Sequence, residues 1–359
     1  MKSAIARYGY LNAKLRARLA NLRDSNVIKN LIDAGTFLQA LEALENTAYA
    51  SLAAAYRETG DLQMMEKTLL DDEISMRREI HDALDGHSRN VAGFFLLKIE
   101  IDNLKNIIRI WYDTTVLGGN SGYRLNYIIR EKILSDISWD AVINASSWEQ
   151  ILTALGNAPC REVLARFKKE DLEKDGLAYM EMALDCWYYQ GLMAEVAKLG
   201  HKDRDVAYSV LERDLDIKNI LILIRYGFYY NVELKRLQSM MLPGGQLYSD
   251  RKLALCFGVS DGLDRIQAFL VKRYPKLNLG HIFSYDDKMQ LLSRSLELEY
   301  VLADEREVNY KRIMRGDPFS IGLIMAYFFK YDRFDNSIRL VLHGKYYHWS
   351  DDKILEVLK

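Results

Sequence analysis

Apolar residues recur along this chain at spacings of three and four, which is the period of an amphipathic helix. The first such stripe lies near the start and consists of Tyr8, Leu11, Leu15, Leu19 and Leu22. Two long helices are predicted within residues 51–112, with turns at Gly60-Asp61 and at residues 85–88. No segment shows a convincing strand pattern, so the predicted fold class is all-α.

One segment of the chain occurs twice. The sequences IDAGTFLQALEALENTAY at 32–49 and INASSWEQILTALGNAPC at 143–160 share seven of eighteen residues at a constant offset of 111. A second pair matches Lys105-Asn106-Ile107 with Lys218-Asn219-Ile220 at an offset of 113. This period is too long for a solenoid built from repeats of roughly 20–50 residues. It favours three similar helical units related by a pseudo-threefold axis.

Glycine-containing segments follow the predicted long helices, where a helix end and a turn are expected. These segments are Leu117-Gly118-Gly119-Asn120, Leu242-Pro243-Gly244-Gly245 and Leu342-His343-Gly344-Lys345. They place the predicted units at 1–120, 121–246 and 247–359. The third copy of the repeat is weak, since its counterpart of the Lys-Asn-Ile helix reads DRFDNSIRLVL at 332–342.

Composition narrows the possible partners. The chain has 49 basic and 50 acidic residues, so its net charge of −1 gives no overall field to hold a nucleic acid or an anionic membrane. No nucleic-acid partner is therefore predicted. Apolar residues make up 49% of the chain, enough for a sizeable core, and only four prolines interrupt its helices.

The cysteines and the hydrophobic runs indicate where the chain works. Cys160, Cys186 and Cys256 form no CxxC pair and no even set, which favours a reducing compartment. The N-terminal segment lacks the apolar run of a signal peptide. The longest apolar run, 219–232, is too short to span a membrane and contains Arg225. We expect a cytoplasmic chain that meets a membrane only through a partner.

Motifs that would indicate catalysis are missing from the sequence, which has no GxxxxGK[ST], HExxH or GxSxG. No enzyme activity, cofactor or metal is therefore predicted. One stretch could bind zinc or manganese through imidazoles and carboxylates; it contains Asp71, Asp72, Glu73, His81, Asp82 and His87. Because His81 and His87 are six residues apart, they would lie on different helix faces. A solvated charged face is favoured, and a metal enzyme is the alternative.

Carboxylates recur shortly before each Lys-Asn-Ile segment, at Glu100, Asp102, Asp214 and Asp216. The favoured interpretation is local ion pairing with Lys105 or Lys218 along the helix. Their recurrence also fits a ring of equivalent acids that binds a partner. Aromatic residues cluster near the predicted helix ends, where most would be core and some could anchor an interface.

Several segments, in order, resemble those of one known family. They are YGYLNAKLRARLANL with LEALENTAYA, then FFLLKIEIDNLKNIIR, LPGGQL at 242–247, and FSIGLIMAYFFKYDRFDNSIRLVLHGK at 319–345. Over its whole length the chain is similar to the C subunit of archaeal and bacterial A/V-type rotary ATPases, the counterpart of the eukaryotic V-ATPase d subunit. Phe334 and Ser337 stand where that family has an acid and an asparagine before its Gly-Lys pair.

The resemblance implies an all-helical funnel of three similar units. Such a protein is a non-catalytic central-stalk adaptor between the central shaft subunits and the membrane rotor ring, and it transmits torque for proton or sodium transport. It would be cytoplasmic and peripheral to the membrane. The alternative is a helical protein-interaction scaffold unrelated to rotary ATPases.

Ten residues are predicted to contact partners. The predicted contact loops contain Gly118, Gly119, Gly244, Gly245, Gly344 and Lys345, since polar groups at helix ends are unsatisfied within the helix. The polar positions expected to line the socket for the shaft are Asp102, Asn106, Asp214 and Asn219. Each of these four could instead cap or brace helices within its own unit.

Overall fold

Every regular element in the described part of this computed structural model is a helix, as the periodicity predicts. The structure describes residues 3–24, 26–249, 262–275, 277, 279–284 and 288–358. Cys256 lies outside the described residues. The chain forms two compact units: unit 1 comprises Met1–Glu173 and Pro318–Lys359, and unit 2 comprises Lys174–Asp317. The division into three units at 120 and 246 stays a prediction.

The helices follow one another with short connections. In chain order they are α1 (Ala4–Asp24), α2 (Val27–Asp33), α3 (Phe37–Leu44), α4 (Ala50–Thr59), α5 (Leu62–Ala83), α6 (Gly86–Trp111), α7 (Trp139–Ile143), α8 (Trp148–Ala154), α9 (Arg161–Leu164), α10 (Lys169–Asp175), α11 (Ala178–Ala197), α12 (His201–Ile222), α13 (Leu234–Met240), α14 (Gly245–Ser249), α15 (Gly262–Arg273), α16 (Lys288–Arg315), α17 (Ile321–Tyr346) and α18 (Asp351–Leu358). A π-helical turn follows α6 at Tyr112–Val116 and another follows α12 at Leu223–Tyr229.

The core of unit 1 joins both ends of the chain. Leu31 of α2, Leu41 of α3 and Leu52 of α4 are fully buried together with Ile338 and Val341 of α17. Full burial of one such side chain stabilises a fold by about 1.5–3 kcal/mol, so α17 is an integral part of this N-terminal core. Four side chains of the predicted first stripe are buried, namely Tyr8, Leu11, Leu15 and Leu19.

The predicted turns around α5 are confirmed. Gly60 ends α4 with a φ of 68°, and Asp61 begins α5 by accepting a hydrogen bond from the Gln63 backbone N–H at 2.8 Å. A left-handed glycine after a helix and an aspartate before the next are the residues that such ends favour. Asp85 and Gly86 mark the start of α6.

The repeat found in the sequence recurs in local hydrogen bonding. Thr36 begins α3 by accepting from the Gln39 N–H at 3.2 Å, and Ser147 begins α8 by accepting from the Gln150 N–H at 3.3 Å. Each glutamine in turn accepts from the N–H of the residue before the cap, at 2.9 and 2.8 Å. The two copies therefore share a reciprocal cap closely related to the capping box.

Unit 2 is built around α11, α12 and α16. Leu184 and Leu192 of α11, Leu215 of α12, and Leu298 and Leu302 of α16 are buried. No helix within the described ranges is both long enough and apolar enough to cross a membrane.

Candidate functional site

A side-chain amide on α6 fixes the chain that returns along this helix in unit 1. Asn103 donates from Nδ2 to the Ile129 carbonyl at 3.0 Å and accepts from the Ile129 N–H at 3.0 Å. One turn earlier, Glu100 accepts from the backbone N–H groups of Leu134 and Ser135 at 3.0 and 2.7 Å. We call this arrangement the acid–amide clamp. It supplies partners to buried backbone groups that would be costly to leave unpaired.

The same acid–amide clamp occurs on α12 of unit 2. Asn219 donates to the Leu242 carbonyl at 3.0 Å and accepts from the Leu242 N–H at 2.8 Å. Asp216 accepts from the Leu247 N–H at 2.8 Å. The acid again precedes the asparagine by three residues, so both side chains lie on one helix face. Asp216 and Asn219 follow Glu100 and Asn103 by 116 residues.

This equivalence corrects the sequence alignment by one helical turn. The Lys-Asn-Ile match at 113 pairs Asn219 with Asn106, but Asn106 is exposed and its side-chain oxygen accepts from Arg109 on its own helix at 3.2 Å. The clamp residue of α6 is Asn103, which the sequence analysis missed. The available signal was the acid-x-x-Asn spacing that Glu100 and Asn103 share with α12.

A further step of 116 residues leads to Asp332 and Asp335 on α17, rather than to Phe334 and Ser337. Here the asparagine is replaced by an aspartate, and the partners are side chains. Asp332 accepts from Arg77 at 2.5 Å, and Asp335 accepts from the Tyr49 hydroxyl at 3.2 Å. The third long helix is thus bound to α5 and to the start of α4 within unit 1.

The acids predicted to line a socket have partners within their own units. Asp102 is half-exposed and pairs with Lys98 one turn away, at 2.5 Å. Asp214 is buried, with a side chain 3% exposed, and accepts from Arg306 of α16 at 2.6 Å. Lys218 lies farther away, at 3.9 Å. Asp214 therefore braces α12 against α16, while Asp102 remains accessible.

The first glycine turn is accessible. Gly118 and Gly119 are exposed, and a side chain added to Gly118 would meet open space. The turn is fixed by Asp113 of the preceding π-helical turn, whose carbonyl accepts from Gly119 at 2.8 Å and whose carboxylate accepts from Ser121 at 3.2 Å. π-helical turns are rare and occur frequently at functional sites. The neighbouring Leu117 is 64% exposed.

The second glycine pair lets the chain pack closely on α12. Gly245 has a φ of 76°, and a Cβ there would lie 2.4 Å from the carboxylate of Asp216. A Cβ on Gly244 would lie 2.8 Å from Leu215. Both glycines are half-buried, and α14 begins at Gly245. They seat the turn that the unit 2 clamp holds.

The third pair lies inside a helix rather than in a turn after it. Gly344 and Lys345 are buried in the last turn of α17, which continues to Tyr346 and ends before His348, a residue with a φ of 56°. Lys345 donates to the carbonyls of Ile32 and Ala34, both at 2.6 Å. These carbonyls lie at the C-terminal end of α2, where a cation is favourable.

The candidate metal cluster is not assembled. The described residues contain no group of three or more His, Cys, Asp or Glu side chains that could hold a metal ion. His81 lies 3.0 Å from Asp82 and close to Arg89. Burial raises the pKa of the Cys160 thiol to about 12, so this cysteine stays protonated and unreactive.

A comparison with protein families decides the identity. The model of the family described as ATP synthase (C/AC39) subunit matches residues 11–357. The chain belongs to this family. The resemblance inferred from sequence segments is confirmed, and membership identifies the chain as an ATP synthase-type subunit.

Members of the ATP synthase (C/AC39) family from three archaea match nearly the whole chain. The C subunit of the A-type ATP synthase of Methanosphaera stadtmanae is 22% identical over 94% of this chain and 84% of its own length. The C subunit from Methanocaldococcus jannaschii is 19% identical over 99% and 86%. That of Methanosarcina acetivorans is 22% identical over 99% and 94%.

Proposed function

We propose that this chain is a non-catalytic central-stalk adaptor that connects the shaft of an A-type rotary ATPase to its membrane rotor ring. The observation that carries the proposal is the family match, which extends over residues 11–357. Relatives described as the C subunit of A-type ATP synthases match from end to end. The adaptor would act at the cytoplasmic surface, as a peripheral subunit, and would transmit torque for ion transport.

The repeated helices support an adaptor with three similar units, arranged as a pseudo-threefold funnel. α6, α12 and α17 carry acidic or amide residues at steps of 116, beginning from Glu100 and Asn103. An adaptor of this kind joins partners of unlike symmetry, and units that are similar but not identical can hold an asymmetric shaft. The units would be 1–120, 121–246 and 247–359.

The ten candidate contact residues then divide by their accessibility. Asp102, Asn106, Gly118 and Gly119 are wholly or partly exposed and are proposed to contact partners directly. The remaining six have internal contacts and would shape the surface from within; they are Asp214, Asn219, Gly244, Gly245, Gly344 and Lys345. Leu117 adds an exposed apolar side chain beside the glycine turn, and such residues anchor interfaces when a partner buries them.

The test is assembly of the complex from cells that lack this chain, with variants supplied in its place. Wild type should co-purify with the ring and the shaft in detergent, and its loss should abolish ATP-driven ion transport while the soluble head keeps its ATPase activity. Leu117→Lys should weaken assembly. Leu38→Lys is the matched control, because Leu38 is 65% exposed on α3 of the same unit.

Two outcomes would reject the proposal. One is a functional rotary ATPase assembled without this chain. The other is a chain that stays in the soluble fraction when ring and shaft are both present. Equal assembly with Leu117→Lys and Leu38→Lys would reject only the contact assigned to the glycine turn.

A further inference from the structure

Three carboxyl groups surround one buried guanidinium in unit 1. Arg77 of α5 is 3% exposed, and its Nη2 lies 2.5 Å from Glu73 and 2.5 Å from Asp332. Its Nη1 donates to the Phe95 carbonyl at 2.8 Å. Asp335, one turn along α17 from Asp332, completes the group. We call Glu73, Asp332 and Asp335 the carboxyl cluster.

Asp335 is the member least able to carry a charge. It is 2% exposed, and the Tyr49 hydroxyl lies 3.2 Å from its Oδ1. Its Oδ2 is buried and forms no hydrogen bond within the described residues. An ionised carboxylate in such a place lacks the donors that would offset its desolvation, whereas a protonated one does not need them.

The repeated clamp shows what the fold requires at this position. In α6 and α12 the equivalent residues are Asn103 and Asn219, each a neutral side chain with an N–H donor. A protonated Asp335 is likewise neutral and has an O–H donor, while an ionised Asp335 has neither property. Protonation therefore restores at α17 the chemistry of the first two copies.

We propose that the carboxyl cluster is a proton-binding site, which holds one proton at neutral pH and releases it at higher pH with loosening of α17 from α4 and α5. The site goes beyond the adaptor function and requires only the folded chain. Its ligand is the proton, and Asp335 is the principal binding group.

The charges around the cluster agree with this assignment. Burial, then the charge of Glu73, raises the pKa of Asp335 to about 8. Burial also raises the pKa of Glu73, against the opposing effect of Arg77. The other titratable or charged groups near the cluster come from the packed helices and are Tyr49, Asp72, Asp102, Tyr327, Tyr331 and Arg339, with Arg18 of α1 beside Tyr327.

The direction of the pH effect follows from the raised pKa. The folded chain keeps a proton that an unfolded aspartate, with a pKa of 3.8, has already released. The stabilising contribution is therefore complete below about pH 4 and is lost as the pH rises through about 8. α17 should be most firmly attached on the acid side of this range.

Infrared spectroscopy of the purified full-length chain tests the site directly. At pH 7 the wild type should show the C=O stretch of a protonated carboxyl, and this band should disappear as the pH rises above 8. Asp335→Asn should lack the band. The matched control is Asp136→Asn, because the Asp136 side chain is 98% exposed in unit 1; this variant should behave as wild type.

Hydrogen exchange supplies a second readout. Corrected for intrinsic exchange, amides of α17 should lose protection between pH 7 and 9 in the wild type and in Asp136→Asn, but not in Asp335→Asn. The proposal is overturned if the wild type shows no protonated-carboxyl band at pH 7, or if Asp335→Asn keeps both the band and the loss of protection. Should Asp335→Asn fail to fold, the wild-type band still decides. Neither measurement needs the assembled ATPase.

Discussion

Asn103 pairs through its side-chain amide with both backbone groups of Ile129, with donor–acceptor distances of 3.0 Å in each direction. A carboxamide can donate and accept at once, so it replaces the neighbouring strand or helix turn that would otherwise pair this buried residue. Ile129 is 1% exposed, and water therefore cannot substitute for the amide. The pairing fixes residues 128–135 onto α6.

Replacing Asn103 with alanine should destabilise unit 1 by about 2–4 kcal/mol, because two buried backbone groups lose their partners. Asn106→Ala, three residues along the same helix, should change stability by less than about 0.5 kcal/mol, since Asn106 is exposed. Urea unfolding gives the stability, and hydrogen exchange of residues 124–135 shows whether the loss is local. Equal effects for the two variants would contradict the assigned register.

The pair of Asp214 and Arg306 should be essential to unit 2. Arg306→Met should cost about 3 kcal/mol or more, because it leaves the buried Asp214 without its closest cation. Arg225→Met is the control: Arg225 and Glu299 form an ion pair with both side chains substantially exposed, so its loss should cost at most about 1 kcal/mol. Adding Asp214→Asn to Arg306→Met should recover part of the stability. If Arg306→Met is as mild as the control, Asp214 is not a brace.

Gly344 should be required for the docking of α18. A Cβ at this position would lie 2.6 Å from Cγ1 of Ile354, so Gly344→Ala should cost about 1–3 kcal/mol and expose residues 351–358 to exchange. The double variant with Ile354→Ala should regain the docking that the clash removes. In Gly93→Ala, within α6, the added Cβ would meet His81 at 3.4 Å, an ordinary contact, and this variant should be neutral or slightly stabilising. A similar loss in both single variants would argue against a steric role for Gly344.

The sequence predicted the helices well because periodicity and caps are local properties. The stripe from Tyr8 to Leu19, the turn at Gly60-Asp61 and the cap at Thr36 all depend on residues within one or two turns. The repeat at 111 was visible because the cap and its apolar pattern recur together. These features are written in short segments and survive in one sequence.

The register of the clamp could not be found in the same way. Asn106 matches Asn219 in its neighbours Lys105 and Ile107, yet the hydrogen bonds select Asn103, because what matters is which helix face meets the returning chain. That face is set by contacts 23–26 residues away, to Leu242 and Ile129. Identical letters one turn out of place therefore led to the wrong equivalence.

The role of the last glycine was misread for a related reason. A Gly-Lys pair near a helix end resembles a stop signal, but Gly344 is retained inside α17 because Ile354 packs against it. The helix instead ends beside His348, a residue that tolerates the left-handed conformation without being glycine. Tertiary packing decided both outcomes, and the local sequence did not record it.

The stability of unit 2 should fall as the pH rises from about 4 to about 6, and Asp216 should be the cause. Burial raises the pKa of this carboxyl to about 6, against the Leu247 N–H at 2.8 Å and Arg273 at 3.8 Å, which both favour its charged form. The folded pKa exceeds the unfolded value of 3.8, so the folded unit holds a proton that the unfolded chain releases over this range. The contribution is complete below about pH 4, declines by at most about 1.4 kcal/mol per pH unit, and is constant above pH 6. Asp216→Asn keeps the oxygen that accepts from Leu247 and cannot ionise, so urea titrations of unit 2 at a series of pH values should show no such decline. Asp264→Asn, an exposed carboxylate on α15, should retain it; a decline of equal size in Asp216→Asn, or a rise in wild-type stability across the range, would assign the effect to another group.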